Sequence, residues 1–210
     1  MTNKSNISMS VIRRLPRYYR YLRDLEKSGI VRVSSKELSV RMGFTASQIR
    51  QDFNCFGGFG QQGYGYSVSN LRERIGEILG VANLKKCVLI GAGNLGRALL
   101  SIDFSQMGFD LVGIFDTNTD IIGKEVRGYK VYGTEIIAEF CAREKPEMAI
   151  ICTPTDSAEE ICDTLFENGV NAFWNFSHYD ISMKHPEAMV ETVHLNDSIM
   201  TLSYLLDETQ

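Results

Sequence analysis

The chain has 210 residues, room for one large domain or two small ones, and 44% of them are hydrophobic, enough for ordinary buried cores. No apolar run nears the roughly 18 residues of a membrane span, and Met1 to Ser10 is polar, unlike a signal peptide; a cytoplasmic protein with no membrane partner is expected. The net charge of −4 hides an asymmetry: residues 1–80 carry 13 Lys and Arg against 6 Asp and Glu, and residues 81–210 carry 9 against 20. A basic block on an acidic chain points to a polyanion met at one end only.

Met9 to Lys27 reads as one helix, with Ile12, Leu15, Tyr19, Leu22 and Leu25 at spacings of three and four, and Pro16 either in its first turn or kinking it. A second helix is expected from Ser35 to Met42, capped by Ser34 or Ser35 and ended by Gly43. Thr45 then caps a third, from Ala46 to about Phe56, with Gln48 at the capping-box position. Two short helices across a tight glycine turn form a helix-turn-helix, whose third helix would read DNA with Ser47, Gln48, Arg50, Gln51 and Asn54 exposed. The run from Gly57 to Tyr66 alternates glycines with aromatic residues and fits the hairpin of a wing. Val68 to Leu79 is a further amphipathic helix, and Gly80 to Lys85 a junction.

Beyond the junction the pattern changes. Strands are expected at Cys87 to Ile90, Leu111 to Phe115, Met148 to Cys152, Ala172 to Trp174 and Glu191 to Leu195. Helices are expected at Asn94 to Met107, Thr134 to Glu144, Ser157 to Glu167 and about Asn196 to Leu206. This alternation predicts an α/β, doubly wound parallel sheet with helices on both faces, a Rossmann domain behind a winged helix-turn-helix. The expected domains are 1–80 for DNA, 81–195 for the nucleotide, and a C-terminal helix over 196–210. Five cysteines (Cys55, Cys87, Cys141, Cys152 and Cys162) stand at irregular spacings without Cys-x-x-Cys, which argues against a disulfide framework or a zinc site. Cys87 and Cys152 lie in apolar runs and read as small core residues.

Gly91-Ala92-Gly93-Asn94-Leu95-Gly96 is a G-x-G-x-x-G that follows an apolar strand, opens a helix, and has Asp116 at the end of the next strand. Gly91 would permit the tight turn, Gly93 would admit a diphosphate, and Gly96 would let helix and strand pack. The helix start offers free N–H groups to the phosphates, and Asp116 would accept from the adenosine ribose. Thr117, Asn118 and Thr119 follow Asp116, with no Arg to meet a 2′-phosphate, so NAD(H) is favoured over NADP(H). The alternatives are a turn that binds nothing, or another adenine nucleotide such as CoA. The three histidines, His178, His185 and His194, and the absence of Tyr-x-x-x-Lys favour binding over turnover; no catalytic residue is expected.

On the DNA side, Arg13, Arg14, Arg17 and Lys36 would neutralise phosphates. Arg50 could meet guanine, or instead pair with Asp52 or Glu37. Gln48 or Gln51 could meet adenine, and Gln61 and Gln62 of the wing would lie along the minor groove.

These features together resemble the Rex family of redox-sensing transcriptional repressors over nearly the whole chain. The matching segments are Ile12-Arg13-Arg14-Leu15-Pro16-Arg17-Tyr18, Thr45 to Asp52, Phe56 to Gly60, Gly63 to Tyr66, and Gly91 to Gly96. The resemblance implies a homodimer with a swapped C-terminal helix. It also implies binding to a palindromic double-stranded operator, release by NADH in competition with NAD⁺, and control of respiratory or fermentative genes. The chain departs from the family at two places: Ile102 stands where members often have a tyrosine, and His194 where some have an acidic residue that pairs with an arginine matching Arg20. The rival readings are an NAD-dependent oxidoreductase with a helical extension, and a CoA- or ligand-binding module whose head binds protein.

Overall fold

Pro16 divides the N-terminal segment. The computed structural model of the chain describes residues 7–57, 60–61 and 64–208. In it the expected single helix is two: α1 (Met9–Ile12) and α2 (Leu15–Lys27). Proline has no N–H to donate, and near the start of α2 none is needed. Leu15, Tyr18 and Leu22 turn inward and are fully buried.

β1 (Arg32–Val33) precedes α3 (Ser35–Met42). Ser34 caps α3 in a complete capping box: its side chain accepts from the Glu37 N–H, and the Glu37 carboxylate accepts from the Ser34 N–H. Gly43 ends α3 in the left-handed conformation, φ 68°, which glycine adopts without penalty. Thr45 caps α4 (Ala46–Asn54) by accepting from the Gln48 N–H, but the Gln48 side chain turns elsewhere and closes no box. β2 (Gly60–Gln61) and β3 (Gly65–Ser67) form the expected hairpin, and β3 also pairs with β1 in an antiparallel three-stranded sheet. α5 (Val68–Leu79) packs on α2. Tyr18, Phe53 and Tyr66 lock the core edge-to-face, with both centroid separations 5.0 Å. Residues 1–82 form one unit and 83–210 a second.

The second unit is built on a seven-stranded sheet in the order β10-β9-β8-β4-β5-β7-β6. In chain order the strands are β4 (Lys85–Ile90), β5 (Phe109–Asp116), β6 (Glu125–Val126), β7 (Tyr129–Gly133), β8 (Met148–Ile151), β9 (Ala172–Asn175) and β10 (Met189–Thr192). All neighbours are parallel except β6, which pairs antiparallel with β7. Strand order reverses between β4 and β8, which makes the crevice at their carboxyl ends the site the fold reserves for ligands. The apolar run Cys87-Val88-Leu89-Ile90 serves two cores by alternation. Val88 and Ile90 meet Phe115, Phe140 and Leu165 on one face, and Cys87 and Leu89 meet Leu111, Ile114 and Phe104 on the other. The first face is covered by α7 (Ile137–Glu144), α8 (Thr155–Glu167) and the short α9 (Ile181–Lys184).

One further expectation is corrected here, and one element is added to those expected. The helix expected from Asn94 to Met107 is α6 (Asn94–Leu99), then a break, then a 3-10 turn over Phe104–Met107. Asp103 causes the break: its carboxylate accepts from the Ser105 N–H and hydroxyl and from the Gln106 amide, and these local bonds replace helical ones. The hairpin β6–β7 was not expected at all. Arg127 and Gly128, both with positive φ, make its two-residue turn.

The chain ends in α10 (Leu195–Asp207), which has no buried residue. Ile199, Met200, Leu202, Tyr204, Leu205 and Leu206 are each more than half exposed. Among the described residues, no helix is long and apolar enough to cross a membrane.

Candidate functional site

β4 delivers the chain to the glycine turn. The Gly91 N–H donates to the Phe115 carbonyl at 2.8 Å, which stitches the turn to β5. Gly91 has φ +94°, and a Cβ there would lie 2.9 Å from the Cys152 carbonyl. A Cβ on Gly96 would collide with the Gly91 carbonyl oxygen. Both glycines are therefore needed by the fold itself. Gly93 is different: its φ of −71° suits any residue, and a Cβ there would meet nothing within 4 Å. The space above Gly93 is open, as a cradle for a diphosphate requires.

Ala92 is fully buried, while Asn94 is exposed and Leu95 half-buried at the start of α6. Asp116, at the end of β5, accepts from the Ala92 N–H at 2.6 Å and from the Asn118 N–H at 2.8 Å. A carboxylate has about four acceptor positions, so capacity remains for a ribose hydroxyl. Arg97, absent from the sequence-based expectations, donates from Nε to the Ala92 carbonyl at 2.8 Å. Beyond β8, the Thr153 Oγ1 is buried with no hydrogen-bond partner among the described residues, beside Gly91. An open cradle, an acid at the next strand end and an unsatisfied hydroxyl on the far side of the crevice suit a dinucleotide laid across the point where strand order reverses.

Cys87 and Cys162 are buried in the cores and Cys152 partly so, and burial pushes all three thiols up to about 12, away from the reactive thiolate. His185 is bonded to Asp163 at 2.7 Å and stacks on Phe166, while His194 stacks on His178 at the start of α10. Ile102 lies in the break after α6 and is 37% exposed.

In the first unit, α4 presents Ser47, Arg50, Gln51 and Asn54 to solvent, at spacings that place them on one face. Arg13, Arg17 and Lys36 are also exposed. Arg50 donates to the Ser35 hydroxyl at 3.2 Å, so its protein partner is neither Asp52 nor Glu37. Arg17 donates to the Met42 carbonyl and lies 4.7 Å over the Phe44 ring. Arg14 and Gln48 are drawn inward instead. Arg14 makes two bonds of 2.7 Å to the fully buried Asp52 carboxylate, and Tyr18 and Gln48 complete the cluster at 2.8 and 2.9 Å. Burial opposes ionisation of Asp52, but the bonds from Arg14, Tyr18 and Gln48 outweigh it and hold the carboxyl below its ordinary value. An acid at the i+3 position between Ile49 and Phe53 stands on the apolar stripe of α4, and that spacing was the signal that it needed partners. Gln61 lies in β2, and nothing is described of its side chain; Gln62 falls outside the described residues.

Comparison with known proteins bears on both units. Residues 6–54 match the family model described as a putative DNA-binding protein N-terminus, and residues 82–179 match a CoA-binding domain. A redox-sensing transcriptional repressor Rex from Clostridium acetobutylicum is 50% identical over 99% of this chain and 97% of that protein. One of the same name from Clostridium botulinum is 46% identical over all of both chains. Among solved structures, that of RSP in complex with β-NAD⁺ and operator DNA is similar at TM-score 0.89 and 47% identity, covering 98% of this chain and 94% of that one. RSP in complex with β-NADH gives 0.88 and 44%, covering 98% and 96%.

Proposed function

The chain belongs to the Rex family of redox-sensing transcriptional repressors, and on that premise we propose that it binds operator DNA and leaves it when NADH is bound. The observation that carries this reading is the pairing, in one chain, of an outward α4 face with an open glycine cradle that has the Asp116 carboxylate bonded to its Ala92 N–H. It is a binding protein rather than an enzyme, as its named relatives are repressors.

Gly93 admits the diphosphate, Gly91 and Gly96 shape the turn, and Ala92, Asn94 and Leu95 line it with backbone. Asp116 takes the ribose hydroxyls and repels a 2′-phosphate, so NADPH competes poorly. Ser47, Arg50, Gln51 and Asn54 read the major groove, while Arg13, Arg17 and Lys36 meet phosphates. Gln61 and Gln62 lie at the minor groove. Arg14 and Gln48 act from behind the surface, orienting α4 through Asp52.

Residues 1–80 serve as the DNA-binding domain, 81–195 as the NAD(H)-binding domain, and 196–210 as a helix given to a second copy. The apolar, unburied α10 supports that assignment, because each large side chain it buries is worth about 1.5–3 kcal/mol. A dimer presents two copies of α4, and both half-sites are filled only at one spacing. An NADH-bound dimer with another spacing loses the operator by linkage. Turning a 1:99 balance into 99:1 takes about 5.5 kcal/mol of differential affinity. Such a repressor works in the cytoplasm, where DNA and the dinucleotide pool meet.

The test is a gel shift on a palindromic duplex selected by the protein from random-sequence DNA. NADH should dissolve the complex, NAD⁺ should oppose NADH, and CoA should do nothing. A complex that survives saturating NADH would overturn the proposal.

A further inference from the structure

Arg97 lies on α6, yet its side chain reaches back to the turn. Its Nε donates to the Ala92 carbonyl, and on the other side of the same residue the Ala92 N–H donates to Asp116. A cation and an anion therefore hold the two peptide groups that flank Ala92. The peptide group is planar and trans, so fixing the Ala92 carbonyl also fixes the direction of the Gly93 N–H, which points the opposite way. Gly93 is the residue with open space above it. Only one of the five N–H donors of Arg97 is used at Ala92, and the residue is exposed.

We propose that Arg97 belongs to the dinucleotide site. It positions the Gly91–Gly93 turn through the Ala92 carbonyl, and it sets a positive charge beside the seat of the diphosphate. This rests on the reading of the glycine turn as an NAD(H) site. The two roles are separable, because lysine keeps the charge and loses the Nε–H that holds the carbonyl. Held in place before any ligand arrives, the turn needs less ordering on binding, and affinity gains by that amount.

The experiment uses the full-length protein and the variants Arg97→Met and Arg97→Lys. NADH and ADP-ribose are titrated at low and high salt, and hydrogen exchange is followed across residues 91–96 without ligand. Arg97→Met should weaken both ligands by a similar factor, roughly fivefold to tenfold, since the net worth of one ordinary hydrogen bond is of that order and solvent screens the charge of an exposed one. It should also flatten the salt dependence of binding and speed exchange at the turn. Arg97→Lys should recover the salt dependence but not the protection. Wild-type affinity in Arg97→Met would overturn the proposal. So would weakened binding with salt dependence and exchange both unchanged, or a loss confined to NADH and absent with ADP-ribose. If the wild-type protein itself bound neither ligand, the dinucleotide reading would fall, and this inference with it.

Discussion

At the scale of single residues, similar amino acids carry different burdens. Gly96 and Gly93 belong to one motif, but the first is required by packing and the second only by what must fit above it. Gly96→Ala should lower stability by about 2 kcal/mol, because a Cβ there overlaps backbone that cannot rotate away. Gly93→Val should melt like the wild type and keep its DNA affinity while losing NADH. Calorimetry with NADH titration separates the two, and a Gly93→Val protein that still binds NADH would remove the diphosphate from this turn. Asp52 makes a second case. Asp52→Asn faces the Arg14 guanidinium with a weaker partner and should cost about 1–3 kcal/mol. Because the folded carboxyl lies below its ordinary value, its stabilisation is complete above about pH 4 and fades as pH falls through the lower folded value. Denaturation midpoints measured from pH 7 to pH 2 should therefore fall less steeply in Asp52→Asn than in the wild type.

At the scale of elements, α10 is the one whose sequence and surroundings disagree most. Its apolar side chains recur on a 13-residue helix that buries none of them. If a second copy receives it, Ile199→Asp with Leu202→Asp should shift sedimentation from dimer to monomer and weaken operator binding, since one reading helix alone holds a single half-site. A double variant that still sediments as a dimer would place the interface elsewhere. The short elements show the opposite situation. The hairpin β6–β7 and the break after α6 are set by a few local bonds, those of Asp103 and the turn at Arg127-Gly128, too brief for a periodic pattern to register.

At the scale of the whole molecule, charge is divided as function would divide it. The basic first unit is expected to bind the operator largely by releasing counterions from phosphates. With about six phosphates neutralised per dimer, affinity should fall by about a thousandfold between 50 and 200 mM salt. Fluorescence anisotropy on the selected duplex measures this directly, and a flat response would deny the basic block its role. NADH affinity should change far less over the same range, since one cation, Arg97, rather than six stands beside its diphosphate.

The sequence alone determined the class of both units, because their signals are local and repeated. Periodic apolar positions marked the helices and strands, Ser34 or Ser35, Gly43 and Thr45 marked the helix-turn-helix, and six residues after a buried strand marked the nucleotide turn. Tertiary structure alone decided which polar residues face out. Arg14, Gln48 and Asp52 meet across 38 positions of chain, and Arg97 turns back to Ala92 rather than outward. Whether a charged side chain serves the solvent, a ligand or a buried partner depends on what the fold brings beside it, and that neighbourhood is not written in the spacing of any one segment.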